Sequence, residues 1–140
     1  MIDINNFTSI RLNKRFLKRI SEFVLKSEKR GDFYLSIVFV GLVRMKRLNK
    51  KYLNRDYPTD VLAFSHQDKI LKNNILGEII ICPHTVKKNA KEFNSSFKKE
   101  LARVLIHGIL HLLGYDHEKS QALAEKMRKK EEYYLKKINW

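Results

Sequence analysis

Apolar positions along this 140-residue chain switch between the spacing typical of strands and that of helices. Runs in which apolar residues alternate or continue without a break predict strands at 2–4, 33–40, 61–64 and 75–81, because successive strand side chains point to opposite faces. Apolar residues three and four apart predict helices at 11–26 and 42–52, from 83 onward, from about 96 to 114, and from 120 onward. The polar segment 65–74 predicts a loop.

Strands and helices alternate irregularly, which favours an α+β fold. We predict one domain over residues 1–140, with about four strands in a mixed sheet and about five helices. The segment 33–40 is apolar on both faces, which predicts a strand covered on both sides. The helix that ends near Gly114 is apolar on several sides, so we expect it to be the buried central helix.

Three of the five histidines lie in the segment 106–117, I-H-G-I-L-H-L-L-G-Y-D-H, at the end of this central helix. His107 and His111 are four residues apart and therefore lie on one helix face. Gly114 can adopt the left-handed conformation that ends a helix and reverses the chain, which would return His117 to the other two. Three neutral imidazoles with a fourth position left to water suit a catalytic zinc ion. We predict one zinc ion per chain, bound by His107, His111 and His117.

The same spacing occurs in the long metzincin signature H-E-x-x-H-x-x-G-x-x-H. Here Gly108 stands where those proteases carry the glutamate that takes a proton from the zinc-bound water. This difference argues against peptide hydrolysis. The alternative, three histidines that only form hydrogen bonds on an apolar helix, is disfavoured because both the spacing and the turn glycine agree with a metal site.

The segment H-G-I-L-H-L-L-G-Y-D-H resembles the hallmark of the YbeY family, bacterial metal-dependent endoribonucleases of ribosomal RNA maturation. Residues 58–64, P-T-D-V-L-A-F, preceded by Leu48 and Asn49, resemble the second signature of that family. Residues 76–81, L-G-E-I-I-I, resemble its glycine-acid-strand segment. The resemblance implies the same α+β fold, and a cytoplasmic enzyme that cuts single-stranded RNA in the maturation of the 3′ end of 16S ribosomal RNA and in ribosome quality control. RNA precursors and the ribosome are the implied partners.

The chain departs from the family pattern at three positions. Leu53 stands where the family usually has an arginine that is thought to meet the substrate phosphate. Arg55 lies two positions further on and could replace it only if the loop presents its guanidinium to the phosphate. Glu78 replaces the usual aspartate and Ala63 the usual serine, and both changes are mild. Two further candidates for substrate binding are Lys51 and Arg47, both in the helix predicted at 42–52.

Lysine and arginine total 29 against 15 for aspartate and glutamate, which gives a net charge of +14. This excess favours a polyanionic partner, nucleic acid first and an anionic membrane surface second. Six basic residues lie between Arg44 and Arg55, directly before the second signature, which makes this segment a phosphate-binding candidate. No apolar run can span a bilayer and no signal peptide is expected. The single cysteine, Cys82, agrees with a reducing cytoplasm.

Several roles stay open from the residues alone. Asp60 and Thr59 could orient a zinc histidine or cap the turn. Met127 could pack beneath the metal or in the core. Candidates for the base are a phosphate oxygen, Asp116, Glu118 or zinc hydroxide acting alone, and Asp116 could equally shape the turn, the role we prefer.

Two other functions are weighed against the nuclease. One is a non-catalytic RNA-binding or ribosome-assembly module with structural zinc, and the less favoured one is a metallopeptidase. Outside the motif, His66 is expected at the surface, His84 near a helix start, and Cys82 as a small buried residue.

Overall fold

The computed structural model describes residues 1–66 and 74–140. Its strands and helices follow in the predicted order, and their bounds are β1 (Ile2–Asn6), α1 (Lys14–Ser27), β2 (Tyr34–Phe39), α2 (Leu42–Leu53), β3 (Val61–Ser65), β4 (Ile75–Ile81), α3 (Pro83–Glu92), α4 (Phe97–Leu112) and α5 (Gln121–Lys137). The predicted α+β fold is confirmed. Most of the loop predicted at 65–74 lies outside the described residues. Among the described helices, none has the length and apolar composition needed to cross a membrane.

The strands form one mixed sheet in the order β1-β2-β4-β3. β1, β2 and β4 run parallel, and β3 pairs with β4 in the antiparallel direction. Parallel pairing requires a crossover, and helices α1 and α2 lie in the connections that bring the chain back across the sheet. β3 therefore forms one edge of the sheet, and β1 forms the other.

Helix α4 is the centre of the molecule. It contacts α1, α3 and α5 on its sides and β3 and β4 beneath. Most of its residues are buried, because their apolar side chains extend around several faces of the helix. Ser96 caps its start, since the hydroxyl accepts a hydrogen bond from the Lys99 N–H at 3.1 Å. The prediction of a buried central helix is confirmed.

Within residues 1–66 and 74–140, α2 is the helix that packs against the opposite face of the sheet. Met45 of α2 packs there against Leu62 and Ile80 in a small second core. Val40 is buried in this core and Val38 packs against it, while the other outward side chains of β2 are only half-buried. The prediction that segment 33–40 is covered on both sides therefore holds for part of that face. A helix is about 10 Å wide and four strands span about 15 Å, so one helix cannot cover the whole sheet.

Gly77 is required by the close pairing of β3 and β4. Its φ is +154°, and the carbonyl oxygen of Phe64 lies deep inside van der Waals contact with the position that a Cβ would occupy. Gly77→Ala is expected to lower the free energy of unfolding by about 3 kcal/mol, through overpacking and backbone strain. Gly41→Ala is the matched control, because no atom lies within 4 Å of a Cβ there. Denaturant titration of both variants measures the difference, and equal stabilities would contradict the explanation.

Candidate active site

The end of α4 sets the positions of the three motif histidines. The N–H of Tyr115 donates to the Leu110 carbonyl at 3.1 Å, and the N–H of Gly114 donates to the His111 carbonyl at 3.1 Å. This bond pair is the Schellman motif, and Gly114 has the left-handed φ of +102° that it requires. The reversal returns the chain toward α4 and brings His117 beside the helix, as the spacing predicted.

The three imidazoles meet in one cleft of about 340 Å³, between the end of α4 and the start of β3. The ring centres of His107 and His117 are 5.1 Å apart, and those of His111 and His117 are 6.4 Å apart. The side chain of His107 is 29% exposed and that of His117 is 45% exposed. All three rings are therefore open to a ligand that enters the cleft.

Three imidazole donors suit zinc, and of the two measured ring-centre distances one matches the distance expected around a zinc ion. A tetrahedral zinc ion holds imidazole ring centres about 5.2 Å apart, from a Zn–N distance near 2.0 Å. The His107–His117 pair matches this value, whereas His111 stands roughly 1 Å too far from His117. As the side chains stand, no three His, Cys, Asp or Glu residues of 1–66 and 74–140 are grouped closely enough to hold a metal ion. His111 is exposed, so no packing opposes the side-chain rotation that would close the gap.

Glu131 of α5 contacts the ring of His107. Its Oε1 accepts from the His107 Nδ1, and the carboxylate is only 12% exposed. A carboxylate on one ring nitrogen fixes the tautomer and leaves Nε2 as the nitrogen available to a ligand. The sequence analysis did not single out Glu131. The signal was its position four residues after the buried Met127, on the same face of α5.

Arg103 lies one helical turn before His107 and is held by carboxylates. It forms an ion pair with the buried Glu100, and this hydrogen bond raises the pKa of Arg103 although burial opposes the shift. The charges of Glu131 and Asp60 act in the same direction as Glu100. Arg103 is not part of the cleft lining. Its guanidinium therefore neutralises buried acids rather than facing the cleft.

Tyr115 anchors the turn between His111 and His117 to the rest of the molecule. Its hydroxyl donates to Glu28 at 2.6 Å, and Tyr134 and Lys130 of α5 donate to the same carboxylate. Burial raises the pKa of Glu28, but these three hydrogen bonds outweigh it and hold the pKa below its ordinary value. Burial and the bond to Glu28 raise the pKa of Tyr115 to about 12. The turn is thereby fixed to both α1 and α5.

Arg55 reaches the same cleft from the end of α2. Asn54 ends that helix in the left-handed conformation, with φ 56°. The buried Asn49 holds the following turn twice, since its carbonyl accepts from the Arg55 N–H at 3.3 Å and its Nδ2 donates to the Tyr57 carbonyl at 2.8 Å. Leu53 and Arg55 both line the cleft beside the histidines. Arg55 thus lies in the wall of the cleft, and its contact with a substrate phosphate stays a prediction.

The chain was then compared with known proteins. The family described as Endoribonuclease YbeY matches residues 3–139. The chain belongs to the YbeY family. Relatives named Endoribonuclease YbeY include one from Thermodesulfovibrio yellowstonii, 44% identical over 86% of this chain and 76% of the relative. Another, from Chlorobium luteolum, is 34% identical over 98% of this chain and 97% of the relative.

A solved structure resembles this fold as well. The solution structure of TM1509 from Thermotoga maritima is 38% identical, with a TM-score of 0.70 over 96% of this chain and 87% of that one. The resemblance drawn from the sequence motifs is confirmed by the family match, and so is the expected enzyme class, a hydrolase of the endoribonuclease type.

The other two substrate candidates, Lys51 and Arg47, do not line the histidine cleft. Both are exposed on α2, and the Lys51 Nζ lies 5.2 Å from the ring centre of Tyr52. Their part in substrate binding stays a prediction. Arg55 is the arginine that the cleft lining contains.

Asp60 and Thr59 line the cleft without contacting a motif histidine. The Thr59 hydroxyl donates to Asp60 Oδ1 at 3.4 Å, and the Asp60 carbonyl accepts from the Cys82 N–H at 2.9 Å. Within 1–66 and 74–140, neither side chain forms a hydrogen bond with His107, His111 or His117. Neither of these bonds joins a side chain of the pair to the backbone of the turn, so both roles stay predictions. Glu131 is the carboxylate that contacts His107.

The acids of the turn differ in their contacts. Asp116 Oδ1 accepts from the Glu118 N–H at 2.8 Å, and this bond lowers the pKa of Asp116. Asp116 therefore has the bonding of a turn former. Glu118 lines the cleft, with its Oε1 3.8 Å from His117 Nε2. At Gly108 a Cβ would stand 3.2 Å from two side-chain carbons of Ile79, so a larger residue there would require Ile79 to shift by a few tenths of an ångström.

The remaining candidates lie outside the cleft. Met127 is 1% exposed and packs in the main core, in agreement with the core alternative. Cys82 is fully buried, as expected of a packing residue. His66 is exposed, and His84 is half-buried in the first turn of α3. The predictions for these residues agree with their positions.

Proposed function

We propose that this protein is a zinc-dependent endoribonuclease that cuts single-stranded RNA in the cytoplasm. Its proposed substrate is a ribosomal RNA precursor, cut in maturation of the 16S 3′ end, with a wider role in ribosome quality control. The proposal is supported by one cleft that is lined by the three motif histidines and Arg55, in a chain of the YbeY family. Imidazoles suit zinc, and a guanidinium suits phosphate.

The proposed metal ligands are His107, His111 and His117. When bound, zinc supplies Lewis acidity toward a phosphate oxygen and activates water at neutral pH. Glu131 holds the ring of His107 in one tautomer and orientation. The Schellman turn, fixed through Tyr115, holds the backbone that carries His117. These contacts reduce the rearrangement needed for all three rings to meet one ion.

Arg55 is the proposed phosphate contact. Its five N–H donors can grip two phosphate oxygens at once and offset the charge that grows on phosphate during cleavage. Glu118 is the favoured carboxylate for accepting a proton, since it lines the cleft while Asp116 is engaged by a backbone N–H. The base itself stays unassigned among Glu118, a phosphate oxygen and the activated water.

Two other activities would use the same residues differently. A non-catalytic RNA-binding module would share the basic helix α2, which carries Arg44, Lys46, Arg47, Lys50 and Lys51 and no acid. A metallopeptidase would need the glutamate base that this chain lacks, since position 108 is a glycine.

The test of function uses one labelled unstructured RNA, the same RNA annealed to its complement, and a peptide library. We expect cleavage of the single strand alone, loss of cleavage in EDTA, and its recovery when zinc is restored. Binding of RNA without cleavage at any zinc concentration would favour the non-catalytic module. Cleavage of peptides would overturn the assignment to RNA.

Glu131→Gln is expected to weaken zinc affinity about 10- to 100-fold, the usual effect of losing a carboxylate that orients a histidine ligand. Competition with a zinc-binding dye measures the affinity. Glu132→Gln is the matched control, because the neighbouring carboxylate contacts Arg128 instead of His107. Equal zinc affinities for the two variants would show that Glu131 does not position the ligand.

A further inference from the structure

The half-covered face of the sheet carries a second depression, beside α2. It has a volume of about 380 Å³, and its walls include Phe7, Arg44, Tyr52, Phe64 and Glu78. We call it the sheet-face groove. In the part of the chain that the structure describes, α2 covers only part of this face, and side chains of β2, β3 and β4 line the groove beyond the helix.

Two exposed aromatic rings of this groove each lie beside a cation. Phe7 is 65% exposed and Tyr52 is 52% exposed, and the Lys51 Nζ lies 5.2 Å from the ring centre of Tyr52. The Arg44 guanidinium lies 5.6 Å from the ring centre of Phe7, and Tyr52 meets Phe64 edge to face at 4.9 Å. Aromatic platforms interleaved with cations are typical of surfaces that bind single-stranded nucleic acid.

The sheet-face groove adjoins the histidine cleft. Phe64 lines both, because its strand β3 runs between them. At the other wall, Tyr52 lines the groove and its neighbour Leu53 lines the cleft. The two depressions therefore share a wall residue, so one extended RNA strand could contact both.

The negative charge of Glu78 favours one part of a nucleotide over another in the sheet-face groove. It pairs with Ser36 on β2 and with Phe64 on β3, so these three side chains form one row across the open face. The Ser36 hydroxyl donates to Glu78 at 3.5 Å. A carboxylate repels phosphate but accepts hydrogen bonds from the N–H groups of bases. Bases are thus favoured in the groove, and the sugar-phosphate chain is favoured outside it, along the basic surface of α2.

We infer that the sheet-face groove is a base-stacking subsite for unpaired RNA nucleotides that flank the phosphate held in the cleft. This inference rests on the proposed function and extends it to the substrate. It also accounts for single-strand preference, because bases in a duplex are stacked on one another and cannot enter a lateral groove.

The test measures RNA affinity by fluorescence anisotropy, with protein freed of metal by EDTA so that the strand is not cut. The variant is Tyr52→Leu, which keeps an apolar contact with Phe64 but removes the ring. The control is Phe93→Leu, which removes a ring of 62% exposure outside the groove. The probes are an unstructured RNA of about 12 nucleotides and a strand of equal length with abasic nucleotides.

We expect Tyr52→Leu to weaken binding of the normal RNA about five- to a hundredfold, the effect of losing one stacking platform. Tyr52→Phe should restore the affinity, and Phe93→Leu should not change it. With the abasic strand, Tyr52→Leu and the unaltered protein should bind equally. The inference is overturned if Tyr52→Leu binds the normal RNA as tightly as the unaltered protein does, or loses as much affinity for the abasic strand.

These outcomes separate the subsite from the proposed function. If the unaltered protein cleaves RNA and Tyr52→Leu still binds it normally, only the subsite is wrong. If the unaltered protein neither binds nor cleaves single-stranded RNA, the proposed function fails, and the subsite fails with it.

Discussion

Replacing His111 by alanine is expected to remove most of the zinc and to reduce RNA cleavage to the background of an EDTA-treated sample. Two imidazoles then remain of the proposed three, and two ligands do not close a stable protein zinc site. His111 is exposed at the end of α4, so its loss removes no core contact. The melting temperature of the zinc-free protein should therefore be unchanged. Elemental analysis of the purified protein and a cleavage assay measure the two effects.

His66→Ala is the matched control for zinc content, because it also removes an exposed histidine, and this one lies outside the cleft lining. It should retain one equivalent of zinc. If His111→Ala also retains a full equivalent, the proposed ligand set is incorrect. If His111→Ala loses zinc but cleaves RNA at the normal rate, cleavage does not need the metal and the catalytic proposal fails.

Much of the site could be predicted because its key residues are close in sequence. The helical repeat fixes the relation of His107 to His111, and the backbone freedom of Gly114 fixes the reversal that follows. Both rules act within a dozen residues, so no tertiary information is needed. The structure bears out the helix end and the turn in detail, through the hydrogen bonds of Gly114 and Tyr115.

Contacts between distant segments were harder to predict. Glu131 contacts His107 across 24 positions, and Glu28 reaches Tyr115 across 87. From the sequence, both carboxylates resemble ordinary surface groups. The spacing along one helix does not reveal which of its faces a second helix will cover. The packing of α5 and α1 against α4 decides both contacts.

The second face of the sheet was predicted only in part, for a related reason. Tyr34, Val38 and Val40 are apolar enough to suggest full burial, but burial depends on how many helices lie above that face. Among residues 1–66 and 74–140, α2 is the helix that packs there, and it covers Val40 better than Tyr34. An apolar strand pattern shows which side chains can be buried, and the count of covering elements determines which of them are.

Arg55 raises the question of whether a cation moved along the chain can keep its role. The family pattern implies an arginine at position 53, and this chain has Leu53 there, half-exposed in the cleft wall. The turn held by Asn49 reverses the chain just after α2, so a residue two positions later lines the same cleft. The geometry therefore lets Arg55 approach a phosphate that a residue at 53 would otherwise meet.

Arg55→Ala is expected to lower the rate of RNA cleavage roughly ten- to a thousandfold, the scale of losing one positioned donor to transition-state charge. The loss should fall mainly on kcat, since the guanidinium acts most strongly on charge that develops during the reaction. Zinc content and melting temperature should stay the same, because Arg55 is exposed and is neither a core residue nor a proposed ligand. Arg11→Ala, which removes one exposed positive charge outside the cleft, is the control for net charge.

Leu53→Arg supplies the complementary measurement. It restores a guanidinium at the family position, so it should hold or raise activity on its own and should recover much of the rate when combined with Arg55→Ala. Recovery in the double variant would show that the two positions serve one phosphate, because side chains that act on the same group are not additive. If Arg55→Ala cleaves RNA at the normal rate and Leu53→Arg gains nothing, then cleavage proceeds without a cation at either position. In that case the role carried over from the family arginine does not apply to this chain.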